Sequence, residues 1–504
     1  MSLKKIKKVI ARQWEIEQHK YQNEPETIKN IKSVKRTSRF FLKKIFKKIY
    51  LKLEYLPVTI TVEGEYFDQG ANQNKNNSNQ KKFDLLAEGT NDMVRRIAAI
   101  EPQIGFEYLT NIFPPTTFAI NGNQFVQCFK EVIEEVGTHP DYIFLMPHLV
   151  IGGAEWVAIS HINLLMAKGH KVLVLVTQKA DNTKAIDWFT KQPTIVYLDK
   201  YLDVLPNDQY VDLLLKVCIQ LNPQTIHNVN SLQGWQMISK AGKQISAVCK
   251  VVVSVFCYAY SDTDKNLRVG YIERYLKNTI DHISLVLTDN QHIIDCIESD
   301  FGLSKSTISK FKALYYPPRL IKDIEKKYLN TEVTDEVKIL WAGRISYHKR
   351  LDILLEVAKL NPAYTFFVYG YTQDTLSFFD ELRQTPNIKM MGSYTNYKDL
   401  LIEEYHAFLY TSSFDGLPNV LIETVLSGLP IVASNAGGVS ELVNQNTGVL
   451  VEEIDNTKAY SDGLREIVGN REQAKIKANN AYKLLRKRHT IEEISKTLIK
   501  IEYM

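Results

Sequence analysis

Cysteine is scarce in this 504-residue chain, and its five cysteines are scattered without a CxxC pair. This spacing argues against a disulfide framework and a zinc site, and it favours a reducing compartment. Long apolar runs are also lacking, so the sequence predicts no membrane-spanning helix. The basic N-terminus has no apolar signal-peptide core. Together these absences predict a cytoplasmic protein.

Charge is distributed unevenly, although the whole chain carries a net charge of only +5. Residues 1–56 hold 16 Lys and Arg against 5 Asp and Glu, a net charge of +11, which leaves −6 on the remainder. Within residues 40–53, apolar side chains recur at helical spacing with lysines between them: Phe41, Leu42, Ile45, Phe46, Ile49 and Leu53, against Lys43, Lys44, Lys47, Lys48 and Lys52.

This pattern predicts that residues 1–56 form a basic amphipathic arm at an anionic membrane surface, on the inner face of the plasma membrane. The alternative is an ordinary helix that packs on the body and leaves its lysines in solvent. Nucleic acid is not expected as a partner, because no nucleic-acid-binding motif accompanies the basic run.

Beyond the arm, the sequence predicts an α/β fold of two doubly wound, Rossmann-like domains that face a cleft. Short apolar runs alternate with helical patterns, as in a parallel sheet that is covered on both faces. Ligands bind such sheets at the carboxyl ends of the strands, so the cleft is the expected site. The predicted segments are an accessory region at 57–140 with a disordered loop at 70–82, a first domain at 141–320, and a second domain with a C-terminal helix at 335–504.

Two carboxylates with a turn between them form the most informative motif of the second domain. Asp415 opens a Gly-Leu-Pro turn, and Glu423 lies eight positions later on the helix that follows. The unpaired N–H groups of the helix's first turn attract an anion, and Pro418 fits that turn without losing a hydrogen bond. A second carboxylate can bind a pair of hydroxyls. Diphosphate and sugar hydroxyls together describe a nucleotide sugar, although an N-cap aspartate before a solvated glutamate is a common alternative.

Three shorter patterns accompany these carboxylates. Gly343 ends a strand and precedes two cations, Arg344 and Lys349, which are well placed to meet a diphosphate. Glycine pairs also open a helix after the first strand of the first domain and a short helix late in the second domain, at Gly152-Gly153-Ala154-Glu155 and Gly437-Gly438-Val439-Ser440-Glu441. Each pattern alone also fits surface cations or a tight turn.

Taken in order, the motifs resemble those of the retaining glycosyltransferases of family 4, which have the GT-B fold and build bacterial surface polysaccharides and glycolipids. The resemblance covers about residues 141–500 and is strongest from Val337 to Val451. It implies that Arg344 and Lys349 stabilise the leaving diphosphate and that Asp415 lies by the donor sugar. It further implies that Glu423 binds the ribose, and that the rest of the donor site is Gly152, Gly153, Gly343, Gly416, Leu417, Pro418, Asn419 and Val420.

Several positions depart from the family pattern. Asp415 stands where the family usually has Glu, which leaves the donor sugar open. The stretch Val253–Tyr258 lacks a His that many members carry near the sugar, and Arg350 replaces a usual Gly. Of a Gly-x-Gly loop, Gly370 alone is kept.

The leading interpretation is a retaining transferase that moves a sugar from a nucleotide sugar to a lipid-linked or growing polysaccharide acceptor, with no cofactor and no metal. One alternative is a degenerate GT-B protein that serves as a membrane scaffold for a partner transferase, and another is an enzyme like a nucleotide-sugar epimerase. The presence of Arg344, Lys349 and Glu423 together favours the transferase.

Overall fold

The computed structural model describes residues 124–504 except residues 181–183, 262–266, 320–324, 327, 329–335, 372–377, 395, 502 and 504. The predicted arm at 1–56 with its helix at 40–53, and the predicted loop at 70–82, lie outside the described residues. None of the helices in the described part is both long and apolar enough to cross a membrane.

The first sheet has seven parallel strands in the order β3-β2-β1-β4-β5-β6-β7. All residues of the central strands are buried, because helices cover both faces of the sheet. The strands are β1 (Tyr142–Met146), β2 (Val172–Val176), β3 (Thr194–Tyr197), β4 (Thr225–Val229), β5 (Lys250–Ser254), β6 (Leu285–Thr288) and β7 (Phe311–Ala313).

Five longer helices surround this sheet: α1 (Gln124–Val136), α2 (Gly153–Ala167), α3 (Asn207–Leu221), α4 (Leu232–Ser246) and α5 (His292–Phe301). The Ser231 side chain caps α4 by accepting the N–H of Gly234 at 3.0 Å. Shorter helical turns lie at Lys184–Trp188, Asp199–Tyr201, Ile272–Leu276, Lys277–Thr279, Ile280–His282 and Lys305–Ile308.

The second sheet has six parallel strands in the order β10-β9-β8-β11-β12-β13. The strands are β8 (Lys338–Ala342), β9 (Thr365–Tyr369), β10 (Ile388–Gly392), β11 (Ala407–Tyr410), β12 (Ile431–Ser434) and β13 (Val449–Val451). The longer helices are α6 (Leu351–Leu360), α7 (Asn419–Ser427), α8 (Thr457–Gly469), α9 (Arg471–Arg488) and α10 (Ile491–Lys500). Shorter helical turns lie at Tyr347–Lys349, Phe379–Gln384, Tyr397–Leu400, Ile402–Glu404 and Gly437–Glu441.

Each sheet reverses its strand order at a switch point, which lies between β1 and β4 in the first sheet and between β8 and β11 in the second. Loops on either side of such a point diverge and leave a crevice outside the carboxyl ends of the strands. The two doubly wound sheets confirm the predicted fold class.

The C-terminal helix packs on the first domain, whereas the sequence analysis placed it with the second. Ile494 and Leu498 of α10 and the nearby Tyr503 join the core formed by β1, β2 and α2. The Tyr142 hydroxyl donates to the Tyr503 carbonyl at 2.6 Å. The sequence contains the apolar face of α10, but only the tertiary structure determines which domain covers it.

Candidate active site

A cleft of about 370 Å³ lies at the carboxyl ends of the strands, and residues of both domains line it. The first domain contributes the start of α2 and the loops after β5 and β6. Ten predicted site residues lie on the wall, namely Gly153, Gly343, Arg344, Lys349, Asp415, Gly416, Leu417, Pro418, Asn419 and Val420. Gly152 and Glu423 are not part of the wall.

Two helix N-termini meet in this cleft. Helix α2 begins at Gly153 and α7 at Asn419, and neither has a side-chain cap on its free N–H groups. A Cβ on Gly153 would lie 3.5 Å from Nδ2 of Asn419, so the two termini are in van der Waals range of each other. Each terminus carries a partial positive charge, so the two together would attract an anion from both domains.

Lys349 and Asp415 form an ion pair on the second-domain wall, with Nζ of the lysine 2.5 Å from Oδ2 of the aspartate. The Tyr410 hydroxyl donates to the same oxygen, and the N–H of Gly416 donates to Oδ1 at 3.1 Å. Burial by itself would raise the pKa of Asp415, but Lys349 and Tyr410 outweigh burial and lower that pKa below its ordinary value. Asp415 is therefore an ionised carboxylate in a fixed position.

The two arginines that follow β8, Arg344 and Arg350, have different surroundings. Arg344 is exposed on the wall and forms no ion pair within the described residues, so its charge is available to a ligand. Arg350, which follows the short helix of Lys349, has a left-handed backbone with φ of 52°. That conformation favours the glycine of the family pattern. The Arg350 guanidinium forms ion pairs with the carboxylates of Asp352 and Asp455, at N–O distances of 2.8 and 2.7 Å. Its charge is therefore compensated and is not free in the cleft.

Asp289 is a cleft residue that the sequence analysis missed. It follows β6 directly and accepts the N–H of Leu417 at 3.0 Å and the side-chain amide of Asn290 at 2.6 Å. Burial raises the pKa of its carboxyl to about 7. Phe256 and Cys257 line the wall in the stretch that lacks the family's His, and Asp289 contributes a titratable first-domain side chain to the same wall. The sequence signal that could have identified Asp289 is an acidic residue directly after a predicted strand.

Two histidines border the cleft and were also missed. Nδ1 of His148, two residues after β1, lies 3.0 Å from Oε1 of Glu155, and this contact raises the pKa of His148. The ring of His348 stacks on Phe414 with centroids 4.9 Å apart. Burial, together with the charge of Lys349, lowers the pKa of His348 to about 4, so the ring is neutral at pH 7.

Glu423 lies behind the wall, on α7 one turn after Val420. It is 6% exposed, and its Oε1 is 3.6 Å from a guanidinium nitrogen of Arg319. Burial raises the pKa of Glu423 to about 7, and Arg319 counteracts part of that rise. The sequence analysis did not identify Arg319, because it lies in the connection between the two domains, about a hundred positions before its partner.

Glu441 links the two domains across the rim of the cleft. Its carboxylate accepts the N–H groups of Gln291 and His292 at 2.7 and 2.9 Å, at the start of α5, and the Tyr315 hydroxyl at 2.6 Å. A carboxylate at a helix N-terminus is stabilised by the exposed N–H groups and the helix dipole. Glu441 of the Gly437–Glu441 motif therefore serves domain contact in this structure.

Two Rossmann-like domains that face a cleft define the GT-B class of fold. The pneumococcal O-GlcNAc transferase GtfA in complex with UDP and GlcNAc has the same fold, with a TM-score of 0.57 at 12% identity over 72% of this chain and 99% of that chain. Residues 323–484 match the family model of the glycosyl transferases group 1. The matched residues lie mostly in the second domain, which is similar to that family.

Curated relatives are similar to shorter parts of the chain. The O-antigen biosynthesis glycosyltransferase WbnH of Escherichia coli is 27% identical over 29% of this chain and 43% of its own length. The poly(ribitol-phosphate) alpha-N-acetylglucosaminyltransferase of Staphylococcus aureus is 26% identical over 39% of this chain and 39% of its own length. The chain thus aligns with less than half of either relative.

Proposed function

We propose that this protein is a retaining glycosyltransferase that moves a sugar from a nucleotide sugar to a lipid-linked or growing polysaccharide acceptor. One observation carries the proposal: the N-termini of α2 and α7 converge in one cleft with the cations Arg344 and Lys349. A diphosphate is the part of a nucleotide sugar that needs this concentration of positive charge.

In the proposed reaction, the acceptor hydroxyl attacks the anomeric carbon from the face that the diphosphate leaves, so the configuration is retained. The bond between the anomeric carbon and the phosphate oxygen breaks, and negative charge accumulates on the leaving diphosphate. The leaving diphosphate oxygen takes up the proton of the acceptor hydroxyl as the new glycosidic bond forms. Arg344, Lys349 and the two helix N-termini stabilise that charge in the transition state more than in the ground state. Because these groups supply the positive charge, the proposal includes no metal and no cofactor.

Asp415 is proposed to bind a hydroxyl of the donor sugar. Its carboxylate is ionised and is oriented by Lys349 and Tyr410, which leaves lone pairs on Oδ1 for a sugar hydroxyl. Its side chain is one methylene shorter than that of the Glu usual in the family, so the sugar must lie closer to the α7 turn.

The relatives support the choice of donor and acceptor. GtfA binds UDP, and the names of WbnH and the staphylococcal transferase refer to an O-antigen and to a poly(ribitol-phosphate). We propose a UDP-sugar as the first donor to test, and a lipid-linked or growing surface glycan as acceptor. Docking of residues 40–53 on the inner face of the plasma membrane would keep the protein at the surface where a lipid-linked acceptor lies.

The test is a donor screen on the purified protein with EDTA present, by thermal shift and by slow hydrolysis of UDP-, GDP-, dTDP- and CMP-sugars. We expect one nucleotide to stabilise the protein and its sugar to be released, and we expect Lys349→Ala to lose the hydrolysis. Lys458→Ala is the matched control, because Lys458 is exposed on α8 and pairs with Asp462 away from the cleft. A folded protein that responds to no nucleotide sugar would contradict the transferase and favour the scaffold.

A further inference from the structure

Glu423 is a buried carboxyl with one ion-pair partner among the described residues. That partner is Arg319, at 3.6 Å. Two tyrosines, Tyr394 and Tyr397, also face the Glu423 carboxyl, and both are neutral at physiological pH because burial raises the pKa of each. A buried carboxyl without a cation takes up a proton instead of remaining charged. The charge state of Glu423 therefore depends on Arg319.

Two tryptophans of the first domain, Trp188 and Trp156, pack around Arg319 and its neighbouring loop. Its guanidinium lies 4.8 Å from the ring centroid of Trp188. Trp188 meets the ring of Trp156 edge to face with centroids 5.8 Å apart, and Nε1 of Trp156 donates to the Pro317 carbonyl at 2.9 Å. A guanidinium over a tryptophan ring is attracted by the electron-rich face of the ring, which helps to hold it in place.

Arg319 consequently connects the two domains at Glu423. Trp188 and Trp156 belong to the first domain, whereas Glu423 belongs to α7 of the second. The buried Nε–H of Arg319 has no acceptor among the described residues. A change in the Trp188 stack would move the cation away from the carboxylate.

We propose that Arg319 is a positioning residue that keeps Glu423 ionised for the ribose hydroxyls of the nucleotide, and that the Trp188 stack makes ribose recognition depend on the first domain. This inference rests on the proposed function and on the ribose-binding role that the family resemblance implies for Glu423. A carboxylate accepts hydrogen bonds from both ribose hydroxyls, whereas a protonated carboxyl has one acceptor oxygen fewer to offer.

Ribose recognition should then depend on pH with a definite sign. Burial raises the pKa of Glu423 to about 7, so the wild type loses preference for a ribose as the pH falls through 7. Without Arg319 the pKa of Glu423 rises further, so the preference at pH 7 is lost and returns only at more alkaline pH. Among the described residues, the titratable groups that interact with Glu423 are Arg319, Tyr394 and Tyr397, and neither tyrosine ionises in this range.

The experiment measures Kd for UDP and 2′-deoxy-UDP, and for GDP and 2′-deoxy-GDP, from pH 6 to pH 9. The ratio of deoxy to ribo Kd reports the contact with the 2′-hydroxyl. For the preferred base, Arg319→Gln should reduce the ratio about tenfold at pH 7 and restore part of it at pH 9. Arg319→Lys should keep most of the ratio, because it keeps the cation. Glu423→Gln should show a low ratio at every pH.

Matched controls separate this role from a structural one. Arg383→Gln removes another arginine that stacks on an aromatic ring, that of Phe379, and it should leave the ratio unchanged. Trp188→Leu keeps Arg319 but removes its stack and should give an intermediate ratio, which tests the proposal even where Arg319→Gln does not fold. If Arg319→Gln binds with the wild-type ratio and pH profile, Arg319 has no such role. A wild type that binds none of the diphosphates contradicts the proposed function itself.

Discussion

The carboxylate of Asp289 in the first domain accepts the backbone N–H of Leu417 in the second at 3.0 Å. The contact is close, because a Cβ on the adjacent Gly416 would lie 2.7 Å from Oδ2 of Asp289. One N–H of the predicted anion-binding turn is therefore used by the protein itself. The remaining positive charge of the cleft comes from the helix termini, Arg344 and Lys349.

Replacing Asp289 with Asn should make the protein relatively more stable at high pH. Burial raises the pKa of Asp289 to about 7 from its ordinary value of 3.8. The ionised form thus costs folding free energy, with no cost below the unfolded pKa and the full cost above pH 7. Asn keeps an acceptor for the Leu417 N–H without ionising. The melting temperature of wild type should fall by several degrees more than that of Asp289→Asn between pH 5 and pH 8.

Thermal unfolding of both proteins over this pH range checks that prediction. The difference between the two curves cancels the other titrating groups, such as Glu423. Parallel curves would contradict an ionising, buried Asp289.

Removing Lys349 should abolish catalysis while leaving the fold intact. Lys349→Ala deletes a cation that faces the leaving diphosphate, and we expect turnover to fall by about 100-fold or more. It also deprives Asp415 of its cation, so burial should raise the pKa of that carboxyl. Turnover is measured with the donor identified by the screen, and circular dichroism checks the fold. Near-wild-type turnover would remove Lys349 from the mechanism, and Lys458→Ala again provides the control.

Gly437→Ala should disrupt the loop that supports Asp415. Gly437 has φ of +60°, and a Cβ there would lie 1.9 Å from the Asp415 carbonyl oxygen. The left-handed backbone alone costs a residue with a side chain about 1–2 kcal/mol, and the clash adds to that cost. We expect a lower melting temperature and loss of activity.

Gly469→Ala is the matched control for that substitution. Its Cβ would meet no atom within 4 Å, and Gly469 ends helix α8 without a left-handed backbone. Alanine there should be neutral or slightly stabilising. If both variants melt at the wild-type temperature, the Gly437 loop tolerates a side chain and the contact is not rigid.

Deletion of residues 1–56 should release the protein from anionic vesicles. The segment has a net charge of +11, and the sequence predicts an interfacial helix at 40–53. Co-sedimentation with vesicles that contain phosphatidylserine is the measurement, and vesicles of phosphatidylcholine alone are the control. Added salt should weaken binding of the full chain. Unchanged binding of the shortened chain would contradict the membrane-interface prediction.

Sequence patterns were sufficient to predict the fold class and ten of the residues that line the cleft. Buried parallel strands require continuous apolar runs, and the helices between them have amphipathic patterns, so the sequence predicts both sheets. Gly343, Lys349 and Asp415 lie in the loops after strands, and the carboxyl ends of parallel strands meet at one edge. Their proximity therefore follows from the topology.

Which side chains meet across the domains depends on how the two sheets are placed in space, and the sequence patterns did not predict it. Arg319 pairs with Glu423, and Asp289 with Leu417, at separations of a hundred positions or more along the chain. The packing of α10 on the first domain likewise depends on the tertiary structure and not on local sequence. Local periodicity and turn chemistry do not predict such contacts, because the contacts depend on how the two domains are oriented relative to each other. The charge of Glu423 also depends on the tertiary structure, because burial and a cation that is distant in sequence together set its pKa.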